Sequence, residues 1–238
     1  MKAEWTIDKK VLQNIQTVID NNIEKQFVKE RIRKNVEKQD IDLSRNTIWK
    51  VLVGCEITTQ QKSGAGSAVD NFLKSDNIVL SYEDCINLST NEISNELSKN
   101  HLRNNRRIAK FLKEIINNFE NGEWEVLLKK LNSLIQEHTI QDEIDVATYL
   151  CSDLYKGIGL KQSRNFLQWL GLTEYEIPID SRELKMLRKC KFNFVPGASA
   201  LQDEVTYLFL EKGIQVACEQ LNIKPCVLDA CFFANFEK

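Results

Sequence analysis

Chain breakers are scarce: nine glycines and three prolines punctuate 238 residues, so long stretches are free to run as helix. Histidine is scarcer still. His101 and His138 stand too far apart to suggest a zinc site or a catalytic triad. No apolar run approaches the ~20 residues that a membrane span needs. The opening MKAEWTIDKK has no apolar stretch behind its first lysine, which argues against a secretion signal. A cytoplasmic location is the expectation. The seven cysteines are odd in number and scattered, so reduced thiols serving as small core residues are expected. Cys218, Cys226 and Cys231 have seven and then four residues between them. That spacing fits neither the C-x-x-C of zinc sites nor a four-cysteine iron–sulfur run. No metal and no cofactor are expected. Lys and Arg number 32 against 34 Asp and Glu, a formal net charge of −2. Such a balance exerts no global pull on a polyanion, so any nucleic-acid face must be local.

A hydrophobic content of 42% is too high for a disordered chain. The length allows one domain or two small lobes. Apolar residues recur at helical spacing. Val11, Ile15, Val18 and Ile19 form one stripe; Ile48, Val51, Leu52 and Cys55 a second; Ile108, Phe111, Leu112, Ile115 and Ile116 a third. Later stripes are Leu127, Leu128, Leu131 and Leu134, then Leu201, Val205, Leu208 and Phe209. Asp8, Ser81, Thr90, Asp142 and Ser199 are candidate N-caps. Breaks fall at Asn117–Gly122 and Val195–Gly197. The charged run 24–38 reads as a solvated helix face, with a nucleic-acid face as the alternative. The fold class is mainly α.

The stretch from Leu154 to Arg182, LYKGIGLKQSRNFLQWLGLTEYEIPIDSR, carries the chemistry. Gly157, Ile158 and Gly159 sit between two helical patterns. Two glycines one residue apart allow a tight hairpin, whose N–H groups and following helix N-terminus suit one phosphate. Ile158 is the apolar pin. Lys161 follows at the start of the next helix, where a bare phosphate contact is the plain reading. Asp180, before Ser181, reads as an N-cap or as something more.

This stretch resembles the helix-hairpin-helix DNA glycosylases, whose hairpin runs roughly L-x-G-(V/I)-G-x-K with an Asp in a P-(V/I)-D context one helix later. Here Tyr155 replaces the leucine, and Pro178-Ile179-Asp180 supplies the aspartate. The 19 positions from Lys161 to Asp180 resemble the 8-oxoguanine glycosylase branch, and the iron–sulfur cysteines of the endonuclease III branch are absent. Upstream, 49–63 and 102–116 look like the family's Gln- or Asn-bearing loop and its basic turn.

The resemblance implies two helical lobes with a DNA-binding cleft between them: a central bundle at 50–165 ending in the hairpin, and 1–49 plus 166–238. It implies base excision with abasic-site lyase activity on double-stranded DNA, by a monomer, with an oxidised purine such as 8-oxoguanine as the expected lesion. Lys161 would attack the sugar and form a Schiff base. That chemistry needs a neutral amine, for which desolvation or a cationic neighbour such as Lys156 or Arg164 would serve. Asp180 would stabilise the positive charge on the sugar. Gln60, or its neighbour Gln61, would fill the gap left by the flipped nucleotide. Arg103, Arg106, Arg107, Lys110 and Arg182 would meet phosphates. One ring among Phe232, Phe233 and Phe236 would stack on the flipped base, although aromatics at a chain end more often belong to a core. Three rival readings remain: a monofunctional glycosylase for alkylated or mismatched bases, a non-catalytic DNA-binding hairpin module, and a helical protein-interaction domain.

Overall fold

The computed structural model describes residues 4–236. The first three residues of the stretch read above for a leader lie outside them. Helix follows helix: α1 (Lys9–Asn22), α2 (Gln26–Arg31), α3 (Arg45–Ile57), α4 (Ala68–Leu73), α5 (Tyr82–Cys85), α6 (Thr90–Lys99), α7 (Asn105–Asn118), α8 (Trp124–Ser133), α9 (Ile140–Leu150), α10 (Leu160–Leu170), α11 (Ser181–Lys189), α12 (Glu204–Gln220) and α13 (Pro225–Ala234). There is no strand among the described residues, so the chain is mainly α. None of these helices is long and apolar enough to cross a membrane.

The chain divides into two compact units. The second comprises 42–137 and 145–170, and the first comprises the described residues up to Ile41, His138–Ile144, and those from Gly171 onward. The segment 138–144 joins the first unit through Glu143, which is completely buried. Its carboxylate accepts hydrogen bonds from His138 Nε2 (2.8 Å), the Thr173 hydroxyl, and the backbone N–H groups of Glu174 (2.6 Å), Tyr175 (2.9 Å) and Glu176 (2.9 Å). Five donors converge on one side chain and fold the 173–176 turn around it.

In the second unit an aromatic core forms where α3, α5, α7 and α8 meet. Phe119 stacks on Trp124 at 3.9 Å, Tyr82 sets its edge on Trp124 at 4.9 Å, and Trp49 donates Nε1–H to the Val79 carbonyl at 2.9 Å. The break expected near 117–122 falls at Asn121 and Gly122, where Gly122 takes φ +102°. Helices α3 and α10 approach closely at Gly54, where a Cβ would lie 2.8 Å from the Trp169 ring.

The stripes of α1 and α7 are buried largely as expected. On α12 the helix forms but the expected face does not. Val205 is 75% exposed and Phe209 is exposed, while Tyr207, Leu210, Ile214, Ala217 and Cys218 are buried. The Tyr207 hydroxyl decides the rotation, because it reaches the chain at Ile177 and Ile179. Among the caps, Asp8 and Ser81 serve as read, whereas Ser89 caps α6 and Asp203 caps α12. The run 24–38 is not a solvated face throughout: Val28 is completely buried, Asn35 donates to the Thr173 carbonyl at 3.0 Å, and Arg31 lies against Asp229. All seven thiols are free and six are buried. Cys226 and Cys231 pack with Val28, Val227, Ala230 and Ala234, and burial pushes each of these two thiols up to about 12.

Candidate active site

In the second unit the hairpin joins α9 to α10. The chain turns at Asp153–Tyr155, and the Ile158 N–H closes onto the Tyr155 carbonyl at 3.0 Å. Gly157 has φ +93°, a conformation that glycine adopts without strain. Ile158 is buried and Gly159 has open space where a side chain would stand. Tyr155, in place of the leucine, sends its ring into the aromatic core and its hydroxyl to Glu123 at 2.6 Å. The departure is therefore accommodated by one extra hydrogen bond. Asn118 of α7 donates to the Leu154 carbonyl at 2.8 Å and fixes the approach to the turn.

Lys161 is the second residue of α10 and half-buried. Its helix is locked to the end of α3 by the next residue. Gln162 Nε2 donates to the Cys55 carbonyl at 2.7 Å and to the hydroxyls of Thr59 and Thr58 at 3.0 and 3.2 Å. Asn165 then donates to Gln162 Oε1 at 2.6 Å. These bonds add to those that the Thr58 and Thr59 hydroxyls make to the same Cys55 carbonyl, at 3.0 and 3.3 Å, and tie α10 to the end of α3. Burial, and next the Glu56 charge, raise the Cys55 thiol, while Lys161 opposes them. The two cationic neighbours suggested for Lys161 have partners of their own. Lys156 pairs with Asp153, and buried Arg164 donates Nη1–H to the Leu160 carbonyl at 3.2 Å.

Glu56 was not singled out in the sequence. It is 3% exposed, its carboxyl lies against Gly157, and its Oε1 has no hydrogen-bond partner. Burial pushes it up to about 8, with Arg107 the opposing charge. Arg103, Arg106, Arg107 and Lys110 are exposed. Lys110 stands 3.9 Å from Glu114. Of the two glutamines after α3, Gln61 is structural: it donates to the Ile57 carbonyl and accepts the Arg103 N–H at 3.0 Å. Gln60 is exposed and left-handed, with φ +59°.

Asp180 belongs to the first unit. Its approach is threaded onto α12: Tyr207 donates to the Ile177 carbonyl at 2.8 Å and accepts the Ile179 N–H at 2.9 Å, while Glu211 accepts the Ile177 N–H at 2.9 Å. Asp180 is indeed an N-cap. Its carboxylate accepts the Arg182 N–H at 2.6 Å, and Glu183 accepts the Asp180 N–H at 3.0 Å, which completes a capping box on α11. The Arg182 guanidinium pairs with Asp180 Oδ2 at 3.0 Å and covers the Phe233 ring at 4.7 Å. Phe233 also packs on Phe27 at 4.9 Å. Phe232 is 2% exposed, within the core of the unit. Phe236 is half-buried, with the Lys185 ammonium 5.2 Å from its ring.

The chain shares its overall fold with solved structures of 8-oxoguanine DNA glycosylases. Over 96% of this chain and 97% of the other, it superposes on the 8-oxoguanine DNA glycosylase of Thermotoga maritima with a TM-score of 0.67 at 18% identity. The Methanocaldococcus jannaschii 8-oxoguanine DNA glycosylase gives 0.67 at 20% identity over 95% of each chain. The glycosylase/lyase of that organism, in complex with a 15mer DNA containing 8-oxoguanine, gives 0.65 at 18% identity over 96% and 98%. No protein-family model matches the sequence, and no curated protein sequence does either. The likeness is one of fold.

Proposed function

We propose that this chain is a DNA glycosylase with abasic-site lyase activity, acting on an oxidised purine such as 8-oxoguanine in double-stranded DNA. The observation that carries the reading is an intact hairpin, with Gly157 at φ +93°, followed directly by Lys161 on a helix that Gln162 anchors to α3. The full-length likeness to three glycosylase structures supports it.

The lesion base leaves the stack before its glycosidic bond can be reached. Lys161 Nζ bonds to C1′ as the C1′–N bond breaks, and the base departs with the bonding pair and takes up a proton. Loss of the remaining Nζ proton and opening of the sugar ring give the Schiff base. Removal of a C2′ proton then expels the 3′ phosphate by β-elimination. Asp180 stabilises the positive charge on the sugar through its carboxylate, which Arg182 and the α11 N-terminus orient. Arg103, Arg106 and Arg107 meet backbone phosphates, and Gln60, exposed at the end of α3, fills the vacated stack.

Borohydride trapping on duplexes carrying 8-oxoguanine, an alkylated base, uracil or an abasic site tests this. The wild type should give a covalent adduct that Lys161→Gln lacks, with 8-oxoguanine trapped best among the base lesions. Free base without an adduct would instead indicate a monofunctional enzyme. Neither base nor adduct on any duplex would leave a DNA-binding module.

A further inference from the structure

Both oxygens of the Asp180 carboxylate meet Arg182. The Arg182 backbone N–H donates to Oδ1 at 2.6 Å, and its guanidinium donates to Oδ2 through Nη2 at 3.0 Å and Nε at 3.3 Å. The backbone bond anchors Oδ1, and the guanidinium sets the rotation of the carboxylate about it. Yet the Arg182 side chain is 40% exposed. An ion pair in contact with water holds its geometry weakly unless something else restrains the arginine.

The restraint is aromatic. The Arg182 guanidinium lies over the Phe233 ring of α13 at 4.7 Å. Phe233 packs on Phe27 of α2, with ring centroids 4.9 Å apart and planes tilted by 32°. Arg31, one turn along α2 from Phe27, sets its own guanidinium 5.5 Å from the Phe27 ring, and its Nη1 stands 3.6 Å from Asp229 of α13. Two packed rings thus each carry a guanidinium, and each guanidinium faces a carboxylate. All six residues lie in one compact unit. The electron-rich face of a ring attracts a cation, and it covers the flat side of the guanidinium while the N–H groups at the edge stay free to bond a carboxylate.

We propose that Phe233 is a positioning residue: backed by Phe27, its ring holds the Arg182 guanidinium on Asp180 and so fixes the carboxylate for base release. The inference rests on the glycosylase reading above and deepens it. It gives Phe233 a different task from stacking on a flipped base, since a guanidinium already lies over its ring. Leucine at this position would keep an apolar body against Phe27 and lose the π face. Released from the ring, Arg182 would sample other rotamers, and the carboxylate would lose its fixed rotation.

The test compares wild type with Phe233→Leu, Phe233→Tyr, Arg182→Met and the double variant of Phe233→Leu with Arg182→Met. In nitrogen-15 NMR of the full chain, the Arg182 Nε–H should exchange with solvent several-fold faster in Phe233→Leu than in wild type, and Phe233→Tyr should restore the slow exchange. In single-turnover base release, Phe233→Leu should lose roughly 3- to 10-fold in rate, with duplex affinity unchanged, and Phe233→Tyr should recover it. On top of Arg182→Met, Phe233→Leu should slow release no further, because the ring acts through the guanidinium. A ring that merely fills space would slow both backgrounds alike, and a ring that stacks on the base would weaken binding of lesion duplexes. Either result overturns the proposal, as does unchanged Nε–H exchange in Phe233→Leu. If the wild type itself releases no base, the glycosylase reading fails instead, and the exchange measurement alone then decides whether the ring holds Arg182.

Discussion

Glu56 shows what a single buried side chain does to the pH response of the hairpin. Its carboxyl is held at about 8 by burial, whereas the same group in the unfolded chain ionises near the ordinary glutamate value of about 4.3. Between those values the unfolded state has released a proton that the folded state retains. Stability therefore falls as pH rises through this window and levels off above it. Glu56→Gln removes the titration. Urea denaturation should show a flatter pH dependence for the variant, with a gain on the order of 2 kcal/mol over wild type at the alkaline end. A slope equal to that of wild type would mean that Glu56 is ionised in the folded protein. Position 56 carries no signal in the sequence, since a glutamate near a helix end is ordinarily solvated. Its burial depends on Gly157, more than a hundred residues away.

At the scale of the element, the two hairpin glycines have different jobs. A Cβ at Gly157 would stand 2.3 Å from Glu56 Oε1, on a backbone at φ +93°. Gly157→Ala should therefore unfold the turn, destabilising the protein by about 2–4 kcal/mol, which thermal melting would record. At Gly159 nothing lies within 4 Å of the added atom. Gly159→Ala should melt as wild type does, yet bind duplex DNA more weakly, because the methyl occupies the surface offered to a phosphate. The approach to Asp180 depends on α12 in a comparable way. Tyr207→Phe leaves the Ile179 N–H and Ile177 carbonyl without their shared hydroxyl. A stability loss of about 1–2 kcal/mol is expected, with base release slowed more than binding. The hairpin was legible as a pattern because glycine spacing is local. The buried face of α12 was not, because the Tyr207 hydroxyl selects it from another segment.

At the scale of the whole molecule, the net charge is −2, so the proposed function assigns DNA affinity to the cluster at Arg103, Arg106 and Arg107. The logarithm of affinity should fall with the logarithm of salt at about 0.9 per phosphate neutralised. Replacing the three arginines by alanine should lower that slope by up to about 2.7. An unchanged slope in filter-binding titrations would move the phosphate contacts elsewhere. Acid should act through Glu143. Burial opposes its charge, but His138 and the N–H groups of 174–176 outweigh burial and hold it below the ordinary range. The stabilisation is complete above the unfolded value and is lost as pH falls through the folded one. Glu143→Gln should cost about 3 kcal/mol or more at neutral pH, since several donors lose a charged acceptor, and it should flatten the acid limb of the stability curve.

Local pattern determined the helical class, the hairpin at 157–159 and the candidacy of Lys161 and Asp180. Each is encoded within one or two helical turns, through apolar spacing, glycine conformation and capping chemistry. Only the tertiary structure decided which glutamates are buried. Glu56 and Glu143 look alike in the chain, and their different protonation behaviour follows from which groups fold against them. It also separated Gln61, bound to Arg103, from exposed Gln60. It divided the C-terminal phenylalanines too, with Phe232 in the core and Phe233 under Arg182. The physical reason is common to all of these: desolvation and hydrogen-bond satisfaction depend on neighbours distant in sequence, which periodicity within one helix does not contain.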